Sequence, residues 1–199
     1  MTILSVADHG KPSVTTTVER PAISALNRTP VDRVSPAIRQ MTSLDIEMLS
    51  AFYDNLSDRS RYARFMTPFA QVPSSLLRSL ANVETPHHVA FMATSSFKAQ
   101  TTMVGEVRFA TRDGDDSTAE FAIAVADPWQ GKGVARKLLQ VMENAARDRG
   151  VRTLVGTTLR SNLAMIELAR RAGYRLKPDP DEARAVRLMK QISTPFMLH

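Results

Sequence analysis

The stretch AEFAIAVADPWQGKGVARKLL (119–139) constrains the fold of this chain more than any other. An apolar run rich in β-formers is followed by a Pro-Trp turn, two glycines around a lysine, and the start of a helix marked by Val134, Leu138 and Val141. A helix leaves its first four N–H groups without intrahelical partners, at the positive end of its macrodipole. Between Trp129 and Val134 no Ser, Thr, Asp or Asn is present to cap them, and Asp127 lies before the proline, too early to serve. Gly131 and Gly133 allow close backbone approach and Lys132 adds positive charge, a combination suited to a phosphate or pyrophosphate.

Two phosphate folds fail against this turn. A P-loop requires Lys followed by Ser or Thr after its second glycine, and no such pair occurs. The dinucleotide fingerprint requires a small third residue where Arg136 stands, and an acid near the end of the next strand, where Thr157 and Thr158 stand. A tight turn that merely uses glycine stays open on these residues alone.

The surrounding pattern predicts a mixed α/β sheet. SPAIRQMT (35–42) reads as a first strand, with Ser43 as N-cap of a helix that runs to about residue 56. Two short helices follow, SDRSRYARFM and SSLLRSLANV. Residues 87–96 and 101–112 are strand-like, and Gly114 turns the chain into the strand at 118–126. After the helix at about 132–149 come a strand (151–159), a helix (SNLAMIELARRAG) and a closing strand pair, YRLK with ARAVRLMKQI. Residues 1–33 lack sustained periodicity and read as an extension, 34–193 as the domain, and 194–199 as a tail.

Composition narrows the chemistry. The 199 residues are 43% hydrophobic and 23% charged, enough for one domain with a sizeable core. No cysteine is present, which excludes disulfides, thiolate zinc sites and a cysteine nucleophile. His9, His87, His88 and His199 have no metal-ligand spacing, so no metal is expected. Neither a long apolar run nor a signal-peptide pattern occurs, so a soluble cytoplasmic protein, with no membrane partner, is expected. The net charge of +6 favours acidic partners, but no aromatic-basic stripe or recognition helix supports nucleic acid.

Gln130-Gly131-Lys132-Gly133-Val134-Ala135, directly after an apolar strand, resembles the coenzyme A loop of the GNAT N-acetyltransferase superfamily. The strand TLVGTTL, then Asn162 opening a helix and Gly173-Tyr174 closing it, resembles that superfamily's second signature. More narrowly, LSDRSRYARFM, AEFAIAVADPWQGKGVARKLL and LVGTTLRSNLAMIELARRAGY look like the catalytic domain of bacterial Pat-type protein lysine acetyltransferases. In those proteins the domain is usually fused to an acyl-CoA-synthetase-like or cyclic-nucleotide-binding domain, which this sequence does not contain.

The resemblance implies an α/β (α+β) GNAT fold: a mixed, mostly antiparallel central sheet, splayed between two central strands, with helices on both faces. It implies acetyl-CoA as cosubstrate and direct transfer to an amine acceptor, either a protein lysine or a small molecule. Backbone groups of Ile123, Ala124 and Val125 would pair with the pantetheine arm as an added strand would. The pyrophosphate would meet the N–H groups of Gly131, Lys132, Gly133, Val134 and Ala135, with Gln130 shaping the turn. Asn162 has two roles open, a pantetheine partner or an N-cap beside Ser161.

Transfer to an amine needs a base, because only the neutral amine attacks. Glu120, a carboxylate in an apolar strand at the position matching the catalytic Glu of Pat-type enzymes, is the first candidate; an edge carboxylate balancing an arginine is the alternative. Glu106 is the second candidate and His87 or His88 the third. Many GNAT enzymes place a tyrosine acid seven residues after the Asn, where Ala169 stands here, leaving Tyr62 or Tyr174 as substitutes, with a core position the other reading of Tyr174. A non-catalytic acyl-CoA-binding module also fits that missing tyrosine. Dimers are common in the superfamily, but no residue here argues for a homodimer.

Overall fold

The computed structural model describes residues 35–192 apart from 84, 86, 98, 99 and 113; the N-terminal extension and the C-terminal tail lie outside the described residues. Seven strands form one sheet in the order β1-β2-β3-β4-β5-β7-β6. They are β1 (Ala37–Gln40), β2 (His88–Phe97), β3 (Gln100–Arg112), β4 (Asp115–Val125), β5 (Thr153–Leu159), β6 (Arg175–Pro178) and β7 (Ala185–Gln191). The helices are α1 (Ile46–Asp54), α2 (Asp58–Phe65), α3 (Ser74–Ala81), α4 (Val134–Asp148) and α5 (Leu163–Arg171).

Alternation along the strands builds two cores, because successive side chains point to opposite faces. Val89, Val107, Phe109, Ala119, Phe121 and Leu154 pack against α4 and α5. Ala90, Met92 and Met103 pack against Leu49, Phe52 and Tyr53 of α1 and Ala81 of α3. Helix α4 buries Val134, Leu138, Leu139, Met142 and Ala146, a single stripe at helical spacing. None of the described helices is long and apolar enough to cross a membrane.

The start of α1 differs from the sequence expectation. A single 3₁₀ turn at Ser43–Asp45 precedes the helix, and its N-cap is Thr42 rather than Ser43. The reason is Asp45, whose carboxylate accepts the Thr42 N–H at 2.9 Å while holding Arg39. Gly114 occupies the β3–β4 turn at φ +85°, as expected of a turn glycine.

Every neighbouring pair in the sheet is antiparallel except β4 and β5. That parallel pair holds its register for three residues only: Thr118 opposite Thr153, Ala119 opposite Leu154 and Glu120 opposite Val155. From Phe121 onward β4 pairs only with β3, and the two central strands part into a V. The cause lies in the first residues past the split. A Cβ on Gly156 would stand 2.6 Å from Cε1 of Phe121 and 2.7 Å from its Cζ, so the ring fills the place a side chain at 156 would take. Phe121 in turn packs on Tyr174, ring centroids 5.3 Å apart.

Replacing Gly156 by Ala forces that ring to move. Such overpacking costs about 1–3 kcal/mol. A thermal melt of Gly156→Ala is therefore expected several degrees below that of the parent, whereas an unchanged melt would mean that the ring has room to move.

Candidate active site

The V opens at the C-terminal ends of β4 and β5. Residues 121–125 turn one backbone edge toward β5 with no strand partner there among the described residues. Ile123 and Val125 lean on the α4 core and Ala124 on the α1–α3 core, so the large and small faces expected from the sequence are the observed ones. Gln130 donates from Nε2 to the Val125 carbonyl at 3.1 Å, which already engages that carbonyl at the mouth of the V.

Beyond β4 the chain makes a 3₁₀ turn at Asp127–Trp129 and then enters α4. Gly131 and Gly133 both have positive φ, +72° and +83°, where a Cβ is strained. Beyond the adjoining residues, no atom of the described residues lies within 4 Å of a Cβ built at either one, so both face open space there. Gly133 is the N-cap of α4, and among the described residues no side chain caps the helix. Val134 is buried, Ala135 is half-buried, and Lys132 lies with Nζ 5.5 Å from the Trp129 ring centre. Uncapped N–H groups, a dipole end and two open glycines form a cradle that fits an anion.

Glu120 is the last residue of β4 paired with β5 and stands solvent-exposed at the apex of the V. Its register neighbours, Ala110 on β3 and Val155 on β5, place it on the same face as Ala122 and Ala124. Helix α2 packs against β4 and β5.

Glu106 is not available as a base. Its side chain is fully buried, and it accepts from Nε of Arg64 at 2.9 Å, from Nε of Arg108 at 2.9 Å and from the Tyr53 hydroxyl. Burial works to raise its pKa, but the Arg108 and Arg64 charges outweigh it and hold the carboxyl down at about 2. His88 belongs to the same cluster. Its Nδ1 is 2.8 Å from the Asn82 carbonyl, which only an N–H can satisfy, and its Nε2 is 3.3 Å from Arg108 Nη1, a donor. Burial and the Arg108 charge lower its pKa, so the ring is held neutral with both nitrogens engaged. His87 lies at the far end of β3, 3.1 Å from the Thr111 hydroxyl.

Asn162 is the N-cap of α5. Its Oδ1 accepts the Met165 N–H at 3.2 Å and its Nδ2 donates to Thr158 Oγ1 at 3.2 Å. Ala169 is fully buried, so nothing at that position reaches the V. Tyr174 is core: it is 4% exposed behind Phe121, and burial, followed by Glu143, pushes its hydroxyl pKa up, which leaves it a poor acid.

Sequence reasoning missed Asp127. Its carboxylate accepts from the Ser57 N–H at 2.9 Å, the Ser57 hydroxyl at 2.8 Å and the Ser60 hydroxyl at 2.7 Å. Burial opposes its charge, yet these bonds hold its pKa below the ordinary value. Gln130 also reaches Ser60 Oγ at 3.1 Å. Asp127 thus ties the start of α2 to the turn before α4 instead of capping α4. The only local signal was the Ser-Asp-Arg-Ser spacing at 57–60, which reads as an ordinary cap.

The profile of the acetyltransferase (GNAT) domain family matches residues 37–175. An acetyltransferase of Pseudomonas aeruginosa is 28% identical over 149 residues, 75% of this chain and 80% of its own length. The GNAT domain of S. lividans PAT is 29% identical with a TM-score of 0.70, over 78% of this chain and 90% of that one. A phosphinothricin acetyltransferase from Sinorhizobium meliloti, solved with acetyl-CoA, shares the fold at 14% identity and a TM-score of 0.63, over 79% of this chain and 89% of that one.

Breaking the buried cluster is expected to destabilise strongly: Glu106→Gln leaves two arginines buried without a carboxylate, at a cost of about 3–5 kcal/mol. In the parent, the Glu106 carboxyl titrates near 2 when folded against 4.5 ordinarily. Its contribution is therefore complete above about pH 4.5 and is lost as pH falls toward 2. Urea titrations of both proteins between pH 7 and pH 3 check this, since the gap between them narrows only in the acid range.

Proposed function

The chain belongs to the GNAT family of N-acetyltransferases, and from that premise we propose that it transfers an acetyl group from acetyl-CoA directly to an amine, with a protein lysine as acceptor and Glu120 as base. The observation that carries this reading is the parting of β4 and β5 after Glu120, with a carboxylate at the apex and the uncapped turn 131–135 at the open end. The free edge at Ile123, Ala124 and Val125 suits the amide-bearing pantetheine arm, and the Gly131–Ala135 N–H groups suit the pyrophosphate. Asn162, whose carbonyl is spent on the cap, would offer only its remaining N–H.

In this mechanism Glu120 takes the proton from the acceptor ammonium, directly or through a water, and the neutral amine attacks the thioester carbonyl carbon. The C–N bond forms, the attacking nitrogen gives its surplus proton to water, the C–S bond breaks, and the coenzyme A thiolate takes a proton from solvent, since Ala169 offers no acid. With no cysteine in the chain there is no thiol to carry an acyl-enzyme. The lysine assignment rests on the resemblance to Pat-type domains and on the likeness to S. lividans PAT. A small amine is the alternative acceptor.

Two experiments test this. Glu120→Gln is expected to lower kcat by about 10²–10⁴ while leaving the affinity for acetyl-CoA unchanged; a variant with full turnover at every pH would remove Glu120 from the mechanism. Incubation of the protein with labelled acetyl-CoA and a cell lysate is expected to label discrete protein bands. Label confined to small molecules would select the alternative acceptor, and none in either fraction would leave an acyl-CoA-binding module.

A further inference from the structure

A second depression, about 330 Å³ in volume, opens between α5 and the β6–β7 pair. Ile166, Leu176, Pro178 and Val186 form its apolar part. Arg160, Arg170 and Lys177 complete the lining, so every charged residue around it is a cation. It shares no lining residue with β4, the 131–135 turn or Asn162. We propose that this depression is a binding site for a small organic anion, a carboxylate or phosphate joined to a compact apolar body.

The argument rests on where the neighbouring charges go. The β6–β7 loop carries three acids and α5 one, yet each is engaged elsewhere. Asp179 lies 3.4 Å and Asp181 3.7 Å from Arg187, Glu182 lies 3.2 Å from Arg184, and Glu167 lies 2.7 Å from Arg171. Arg170 and Lys177 have no ion-pair partner among the described residues. Arg160 donates from Nε to the Ala183 carbonyl at 2.7 Å, a bond that anchors the guanidinium without neutralising it. Its backbone N–H is also fixed, to the Arg184 carbonyl at 2.8 Å. Three like charges around one apolar hollow repel one another unless an anion joins them. An arginine fork matches a carboxylate or phosphate in geometry as well as charge, and the apolar part gives the rest of such a ligand a surface to cover.

The site predicts a preference for both halves of the ligand. Titration of the ¹⁵N-labelled full chain, saturated with coenzyme A, with phenyl phosphate is expected to shift the amides of Ile166, Arg170, Leu176 and Val186 saturably. Inorganic phosphate and phenol alone are each expected to bind about tenfold more weakly or worse, because each lacks one half. Arg170→Glu, and more mildly Arg170→Gln, should weaken phenyl phosphate by about tenfold or more. Arg171→Glu, one residue further along the same helix and facing Glu167, should leave it unchanged. Arg170 and Arg171 are exposed, so all three variants should keep the parent's spectrum elsewhere. The proposal fails if the four amides do not move, or if coenzyme A abolishes the shifts, which would place the anion in the V. It also fails if Arg171→Glu weakens binding as much as Arg170→Glu, which would mean diffuse charge attraction. Inorganic phosphate binding as tightly as phenyl phosphate would assign the site to free phosphate and remove the apolar half of the claim.

Discussion

Three residues of parallel pairing decide the architecture. Thr118, Ala119 and Glu120 bind β4 to β5, and the next residue of β4, Phe121, puts its ring where Gly156 leaves room. The sheet is thereby continuous enough to carry two cores, yet it contains an edge in its middle. A buried strand edge is ordinarily costly, because its N–H and C=O groups need partners. Here the edge lies in an open V, and the family's substrate carries amide groups that can act as the missing strand.

The rest of the molecule holds that opening in place. On one face, Glu106 draws Arg64 of α2, Arg108 of β3 and Tyr53 of α1 to a single buried carboxylate, which fixes two helices against the strands beside the V. At the mouth, Asp127 and Gln130 bind the serines that start α2. On the other face, α4 lies over β2, β3 and β4 through one apolar stripe, so its uncapped end is positioned by packing. The two glycines at that end adopt conformations that other residues disfavour, and no described residue occupies the space before them.

What the sequence disclosed and what it hid follow from range. The strand, the glycine turn, the helix after it and the alternation of Phe121, Ile123 and Val125 against Ala122 and Ala124 are local, and each was legible from periodicity and turn chemistry. The fate of Glu106 was not: Arg108, two residues on, is local, but Arg64 and Tyr53, which complete the buried cluster, lie 42 and 53 residues earlier in the chain. Asp127 was rightly discounted as a cap for α4 from its place before the proline, but its role stayed hidden because its partners, Ser57 and Ser60, are 70 and 67 residues away. Asn162 and Tyr174 were each left with two readings by the sequence. The structure gives Asn162 the cap and Tyr174 a place in the core, since both outcomes depend on which side chains the fold brings to them. Ser43 does not cap α1: it opens a 3₁₀ turn whose N-cap is Thr42, and the N-cap of α1 is Asp45, which is paired with Arg39.

The central claim is that the unpaired edge of β4 takes up the coenzyme as a strand takes up a strand. Backbone hydrogen exchange, measured residue by residue with and without coenzyme A, tests it most directly. Slowed exchange confined to amides in 121–125 and in the 131–135 turn is the predicted result. Protection of the turn with no change along 121–125 would contradict the account, since the phosphates would then be bound while the edge stayed open.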